Sequence, residues 1–451
     1  MAIMENLTPE ELERYGGAEY GAGAEAGAAD DAQYDAVPWP DPMNEAALHG
    51  ITGDFVRMVD PTTEADPVAV LLSFLAAFGA VVGRGPFIEA GGVRHGTNLF
   101  VCLVGNTAKG RKGTSWGPVE RILYGLDDEF TREKTPNGLS SGEGLIWAVR
   151  DAVVKTQAKR VNGKRVDGEY EEVTEDPGIA DKRLLLVESE MGQTLQVLRR
   201  EGNTLSPVLR QVWDGKECLQ ALVKTNKAKA TGAHIGMIGH VTKAELIENF
   251  TAVEILNGLG NRFLWACVRR SKLLPHGGKI SAQQAEQIIS QVAQAVQFAR
   301  LAPEVGRSLE YVQLWEKVYP MLAVEKVGNW GAATGRAEAQ VTRLAMVYAL
   351  LDCTDTINAA HLRAALAVWE YCDASARFIF GGQVYDAKAA KMLEALKGGP
   401  LSQTEIIRKL GGHLSGQALR VKLEGLSAAK KIGCRECDSG GVRKKIEWFL
   451  I

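Results

Sequence analysis

Two rhythms of apolar and polar positions run through this chain. Short unbroken apolar runs occur at Leu99–Val104, at 183–190 (RLLLVESE), at 234–242 (HIGMIGHVT) and at Phe263–Val268. Runs of that length with little polar alternation predict strands buried on both faces, as in a parallel sheet. Elsewhere apolar residues recur three and four apart, which predicts helices at Trp116–Leu126, 200–215, Ser281–Leu301, Leu309–Ala323, Ala332–Leu351 and Ala359–Phe380. Before the first run, residues 46–87 are helical in pattern. A short helix is expected at Asp54–Met58, and a longer one from a cap at Asp66-Pro67 through Val82. Phe87–Val93 and His95–Val104 read as strands joined by Gly91-Gly92, and 135–154 as a polar loop entering an amphipathic helix.

Two further segments read as hairpins. Lys155–Gly168 alternates about Asn162-Gly163, a strong turn signal, and an acidic run, Glu169–Asp176, follows. Its five basic residues fit either a DNA contact or a solvated insertion. Leu219–Thr231 carries Lys224, Lys227 and Lys229 near its tip. Past Gly381-Gly382, three short helices (Ala387–Leu396, Ser402–Leu410, Ser415–Ala428) and a charged β-segment, Lys431–Ile451, read as a winged helix. Gln417, Arg420 and Lys422 mark its recognition-type helix.

Composition adds the ends and the charge. Residues 1–36 hold nine acidic side chains against Arg14 alone and few large apolar ones, so this tail is expected to be disordered. The net charge of −3 therefore leaves +5 on the body, enough for a local DNA-binding channel. The domains expected are a tail and linker at 1–45, a core at 46–275, a helical lid at 276–382 and the winged helix at 383–451. Seven scattered cysteines form no disulfide framework, and one CxxC, Cys434 and Cys437, is weak as a zinc signal. The longest apolar run, Val68–Val82, is too short to span a bilayer, and the N-terminus has no signal pattern. A cytoplasmic protein without membrane contact is expected.

The candidate chemistry sits between the first apolar run and the helix after it. NLFVCLVGNTAKGRKGTS, residues 98–115, passes from strand to Gly-rich loop to helix, the phosphate cradle of P-loop NTPases. Gly105 and Gly110 have the spacing of GxxxxGK[ST], but Arg111 takes the lysine position and Gly113 separates Lys112 from Thr114. The whole loop is expected to hold nucleotide: Gly105, Asn106, Thr107, Ala108, Lys109, Gly110, Arg111, Lys112, Gly113, Thr114 and Ser115. Lys112 is the phosphate lysine, with Lys109 and Arg111 as alternatives. Thr114 is the Mg²⁺ hydroxyl, backed by Ser115. Such chemistry needs a carboxylate near the metal and another at the attacking water. Glu188 suits the first role and Glu190 the second. His240 or Thr242, ending the third run, is placed to reach γ-phosphate or water. Arg262 is placed to act as an arginine finger on a neighbouring subunit. Arg336 and Arg343, seven apart, lie near one helical face, from which one can reach nucleotide or either can form a surface salt bridge.

These landmarks in this order resemble the AAA+ ATPases of minichromosome-maintenance type replicative helicases over roughly residues 98–372. SSGEGLIWAVRD is similar to the loop before that family's helix-two insert, and the Leu219–Thr231 hairpin falls where its pre-sensor-1 hairpin lies. Asn261-Arg262-Phe263 resembles its Ser-Arg-Phe finger, and GRAEAQVTRLAMVYALLD its sensor-2 helix. PTTEADPVAVLLSFLAAFGAVVGR, GRKGTSW and REGNTLSPVLRQVWDG are similar to an uncharacterised bacterial ATPase group linked to primase–polymerase modules of plasmids and prophages. The resemblance implies an α/β, AAA+-like P-loop core with an all-α lid and a C-terminal winged helix. It also implies a ring, commonly a hexamer, with ATP and Mg²⁺ at subunit interfaces. Lys112, Thr114 and Glu190 would act in cis, Arg262 and Arg336 in trans, and the hairpin lysines would line a DNA pore. The sequence departs from the family in its lengthened P-loop, in Glu-Ser-Glu for Asp-Glu, and in His240 for the sensor-1 Asn. The expected function is an ATP-dependent DNA helicase or translocase of a replication system, acting on single-stranded or forked DNA beside a primase–polymerase. The rival is a nucleotide-controlled DNA-binding initiator or regulator that does not unwind.

Overall fold

The computed structural model describes residues 37–451 except 106–111, 162–163, 221–227, 252–253, 256, 303, 327, 382–386, 411–418, 421–422, 424–425, 428–430 and 438–444. At its centre lies a parallel sheet of β1 (Phe100–Gly105), β2 (Arg183–Glu188), β3 (His234–Thr242) and β4 (Phe263–Cys267), in the order β4–β1–β3–β2. The four apolar runs of the sequence are these strands. Their register sets Phe100 between Phe263 and Met237, Gly105 beside Thr242, and Glu188 beside Gly239.

Alternation along each strand divides its side chains between two cores. Val101, Leu103, Leu264, Ala266 and Ile238 face one; Phe100, Cys102, Val104, Phe263, Trp265 and Met237 face the other. The first core is filled by helix α1 (Gly50–Val59), α2 (Pro67–Val82), α3 (Trp116–Leu126), α7 (Ala282–Leu301), α8 (Leu309–Leu322), α9 (Ala337–Leu351) and α10 (Ala359–Phe380). The second is closed by α4 (Met191–Leu198), α5 (Leu205–Trp213) and α6 (Lys243–Asn249). α2 is buried all round, so its apolar run is a core helix. The Asp66 carboxylate accepts from the Val68 N–H, Pro67 opens the helix, and Gly83 at φ +87° ends it. At Gly79 an added Cβ would lie 2.1 Å from the Thr97 carbonyl, so only glycine lets α2 approach the chain leading into β1.

That approach explains one difference from the sequence reading. His95–Val104 is not one strand. Val93–Gly96 pairs antiparallel with Phe87–Ala90, and β1 begins afresh at Phe100. The Thr97 hydroxyl donates to the Gly79 carbonyl, and the Asn98 amide donates to the carbonyls of Val212 and Trp213, so both polar residues serve helix ends. Similarly, Ala332–Leu351 is broken: Gly328–Thr334 and α9 are separate helices, with Arg336 in a non-helical conformation between them. The short Asp54–Met58 helix extends over Gly50–Val59, and only Gly142–Trp147 of residues 135–154 is helical.

The charged hairpin also differs. It is a ribbon of Val153–Val161 against Lys164–Asp176, so the acidic run is its second strand. Lys155 pairs with Glu175 at 2.6 Å and Lys159 with Glu169 at 2.8 Å, which neutralises the stem. The other hairpin pairs Cys218–Gln220 with Lys229–Thr231; Lys224 and Lys227 lie outside the described residues. A separate core at the C-terminus joins Met392, Leu396, Ile406, Leu419, Leu423, Ile432 and Trp448. It is backed by three antiparallel strands in the order Leu401–Ser402, Lys445–Leu450, Ile432–Cys437. Gln417 and Lys422 lie outside the described residues, and Arg420 is exposed.

Candidate active site

The carboxyl ends of parallel strands gather loops and helix N-termini, which is where an open α/β sheet binds ligand. β1 ends here at Gly105; the chain re-enters at a 3₁₀ turn, Lys112–Ser115, and continues into α3. Of the expected nucleotide loop, Asn106, Thr107, Ala108, Lys109, Gly110 and Arg111 and the Lys112 side chain lie outside the described residues. Gly113 and Thr114 are exposed and Ser115 is buried. Beside this turn a cavity of about 650 Å³ is lined by Thr62, Thr63, Thr114, Arg121 and Lys279. The sequence reading missed Thr62, Thr63 and Lys279. Thr62 and Thr63 lie in the link between α1 and α2 and Lys279 follows a Gly-Gly pair, so none of them stood out as chemistry.

β2 delivers the carboxylates to the same end. Glu188 is 4% exposed; its two oxygens accept from the Leu139 N–H and the Thr194 hydroxyl, each at 3.0 Å. Glu190 lies two residues on, in the turn before α4, exposed, and accepts from the Gln193 amide at 2.6 Å. One carboxylate is thus fixed and the other open to solvent. The β3 strand runs between β1 and β2, so the Gly105 and Glu188 strands lie two spacings apart, about 10 Å. His240 is buried on β3, opposite Leu103 of β1. Thr242 is committed to a capping box with Glu245 at the start of α6. Next to it Lys243 donates to the Phe378 carbonyl at 2.9 Å and lies over that ring, and burial lowers its pKa from the ordinary lysine value.

The arginines lie at the other end of the sheet. Arg262 immediately precedes β4, whose first residue, Phe263, is level with Phe100, the start of β1. Five residue steps separate that level from Gly105, about 17 Å at about 3.3 Å per residue. Arg262 is buried: Nε and Nη2 donate to the Asp214 carboxylate at 2.7–3.1 Å, and Nη1 donates to the Gly258 carbonyl. Arg336 meets the same carboxylate at 3.5 Å. The structure therefore brings Arg262 and Arg336 together on Asp214, at the end of the sheet opposite the Lys112 turn. Arg343 reaches no loop. It is fully buried, donates to Asn98 O, Asn98 Oδ1 and Trp213 O at 2.7–2.9 Å, and lies 3.9 Å over the Trp213 ring. Trp213 and Asp214 end α5 and organise all three arginines, although in the sequence they read only as a helix terminus.

Among the described residues, one grouping has metal-ligand chemistry: His49, Asp352 and His361. Asp352 Oδ2 lies 2.7 Å from His49 Nε2 and 3.2 Å from His361 Nε2. His361 Nδ1, however, accepts the Asn358 N–H in a helix cap, so its proton is on Nε2 and the lone pair a cation needs is not there. This set is a hydrogen-bonded clamp between the chain before α1 and the α9–α10 corner, and it does not fit a metal.

The fold and site define a mixed α/β protein with a parallel central sheet and many helices. Among the described residues no helix is long and apolar enough to cross a membrane. Comparison with protein-family models and with curated proteins returns no match.

Proposed function

We propose that this chain is an ATP-driven motor on DNA, the helicase or translocase of a plasmid, prophage or other mobile replication system. In this reading it works as a ring, commonly a hexamer, with ATP shared between neighbouring copies. The observation that carries the reading is a division of the expected site. The turn Lys112–Ser115 follows the Gly105 end of β1, and Arg262 and Arg336 meet Asp214 at the Phe100 end, about 17 Å away along the strand. In this reading a guanidinium from that end of the sheet serves the nucleotide of an adjoining copy. The finer architecture of the reading is an AAA+-like P-loop core with a helical lid and a C-terminal winged helix.

Residues at the sheet end fit a nucleoside triphosphate with Mg²⁺. The helix after the turn is 11 residues long, so its N-terminal N–H groups favour an anion, and an open depression lies beside it. Lys112 neutralises phosphate charge; Glu190, open to solvent, orients water; Glu188, held by two donors, fixes the local negative charge. Thr114 and Glu188 would hold Mg²⁺, which when bound neutralises phosphate charge. Lys224, Lys227 and Lys229 grip DNA phosphates without reading sequence.

The test is strand displacement on forked DNA with purified protein and ATP, with the particles imaged under the same conditions. Unwinding by a ring supports the proposal. ATP-dependent DNA binding without unwinding selects the initiator reading, and ATP consumption at full rate by a single copy removes the shared site.

A further inference from the structure

Resting on the shared-site reading above, the structure assigns different tasks to the two arginines. We infer that Asp214 is a positioning residue: its carboxylate locks Arg262 inside its own chain and leaves Arg336 as the guanidinium that can turn outward to a phosphate of a second copy. The contacts are unequal. Arg262, with a side chain 6% exposed, spends Nε and Nη2 on both Asp214 oxygens and Nη1 on Gly258 O. Planar, two-point pairing of this kind saturates a guanidinium, leaving it little to offer a phosphate. Arg336 has a side chain 37% exposed and one longer contact to the same carboxylate, and its guanidinium lies 5.3 Å from the Trp213 ring centre. It also sits in the break between Gly328–Thr334 and α9, outside any helix, so its side chain can move without unwinding a turn. Asp214 is 41% exposed and ends α5, and both arginines converge on it. An incoming phosphate competes with that carboxylate, and Arg336 gives up less than Arg262 in making the exchange.

The lock can be read without turnover. The full chain is treated with phenylglyoxal in the absence of nucleotide, and labelling of each arginine is followed by peptide mass mapping. Arg336 should label roughly tenfold faster than Arg262, whose protection reflects its local structure. Asp214→Asn should bring Arg262 close to the Arg336 rate, and Asp214→Glu, which keeps the charge, should restore the difference. Arg262 reacting as fast as Arg336 in the native chain, or staying protected in Asp214→Asn while the melting temperature is unchanged, overturns the lock. A non-hydrolysable ATP analogue should then slow Arg336 labelling at protein concentrations that give assembly. If it does not, while the dependence on Asp214 holds, the lock stands and the shared nucleotide site is what fails.

Discussion

Arg343→Met tests how the basal end of the sheet is held. Methionine keeps much of the side chain's length and its contact with Trp213, so the change removes mainly the cation and its hydrogen bonds. Three acceptors lose a donor: Asn98 O, Asn98 Oδ1 and Trp213 O. Trp213 O keeps the Asn98 amide at 3.3 Å, so the two Asn98 acceptors bear the loss. A buried acceptor left without its donor costs about 1–3 kcal/mol, or about 2–6 kcal/mol for the pair. Against this, the native state no longer buries a cation, a relief of order several kcal/mol in a site where burial already lowers the Arg343 pKa to about 9. The two effects oppose each other, and Arg343 Nε is buried without a partner, so a net loss at the low end, about 1–2 kcal/mol, is expected. A chain of this size unfolds in more than one step, so the assay is the midpoint of the first urea transition, followed through tryptophan fluorescence, since Trp213 underlies the arginine. An unchanged midpoint refutes the reasoning and shows that the base of β1 is held by packing alone. Arg343→Lys, with a point charge in place of the planar fork, should fall between the two.

Lys112→Ala should abolish ATP turnover with little effect on melting, and retained turnover would move the phosphate role to Lys109 or Arg111. Glu190→Gln should bind ATP and lose at least about 10²-fold in hydrolysis, the usual contribution of a positioned base; normal turnover removes Glu190 from the water. The His49 pKa is raised by its hydrogen bond to Asp352, working against burial, and that of Asp352 is held well below the usual carboxylate range, burial opposing and the two histidines prevailing. The stability His49 adds is therefore complete below its ordinary value of 6.5 and fades as pH rises through the raised value. Melting temperature should decline over that interval, and His49→Gln should flatten the decline. Replacing Lys224, Lys227 and Lys229 by alanine should weaken DNA binding and make it less salt-dependent, measured by anisotropy at several salt concentrations; unaltered affinity removes the hairpin from the DNA path.

The buried parallel strands were legible because apolar runs as short as Phe100–Gly105 suit a sheet covered on both faces, whereas the longer run in Pro67–Val82 became a core helix. The helix starts at Asp66-Pro67 and Ser281 were legible for a local reason, a side chain bonding its own first turn. Glu188 and Glu190 were identified by type and order along the chain. That one is buried between two donors and the other exposed was not visible, since one donor to Glu188 is the distant Leu139 N–H, brought in by the packing, while Gln193 and Thr194 both belong to α4.

What the chain alone determined is local: the period of its apolar residues and its helix caps. Tertiary structure decided everything that depends on long-range convergence. It placed Trp213 and Asp214 under three arginines from sequence positions 262, 336 and 343, and it turned the acidic run after residue 168 into the partner strand of its own hairpin. It also put Arg262 and the Lys112 turn at opposite ends of one sheet. The physical reason is that periodicity follows from the geometry of a few consecutive residues, whereas a buried charge takes whichever partner the packing brings within hydrogen-bond reach.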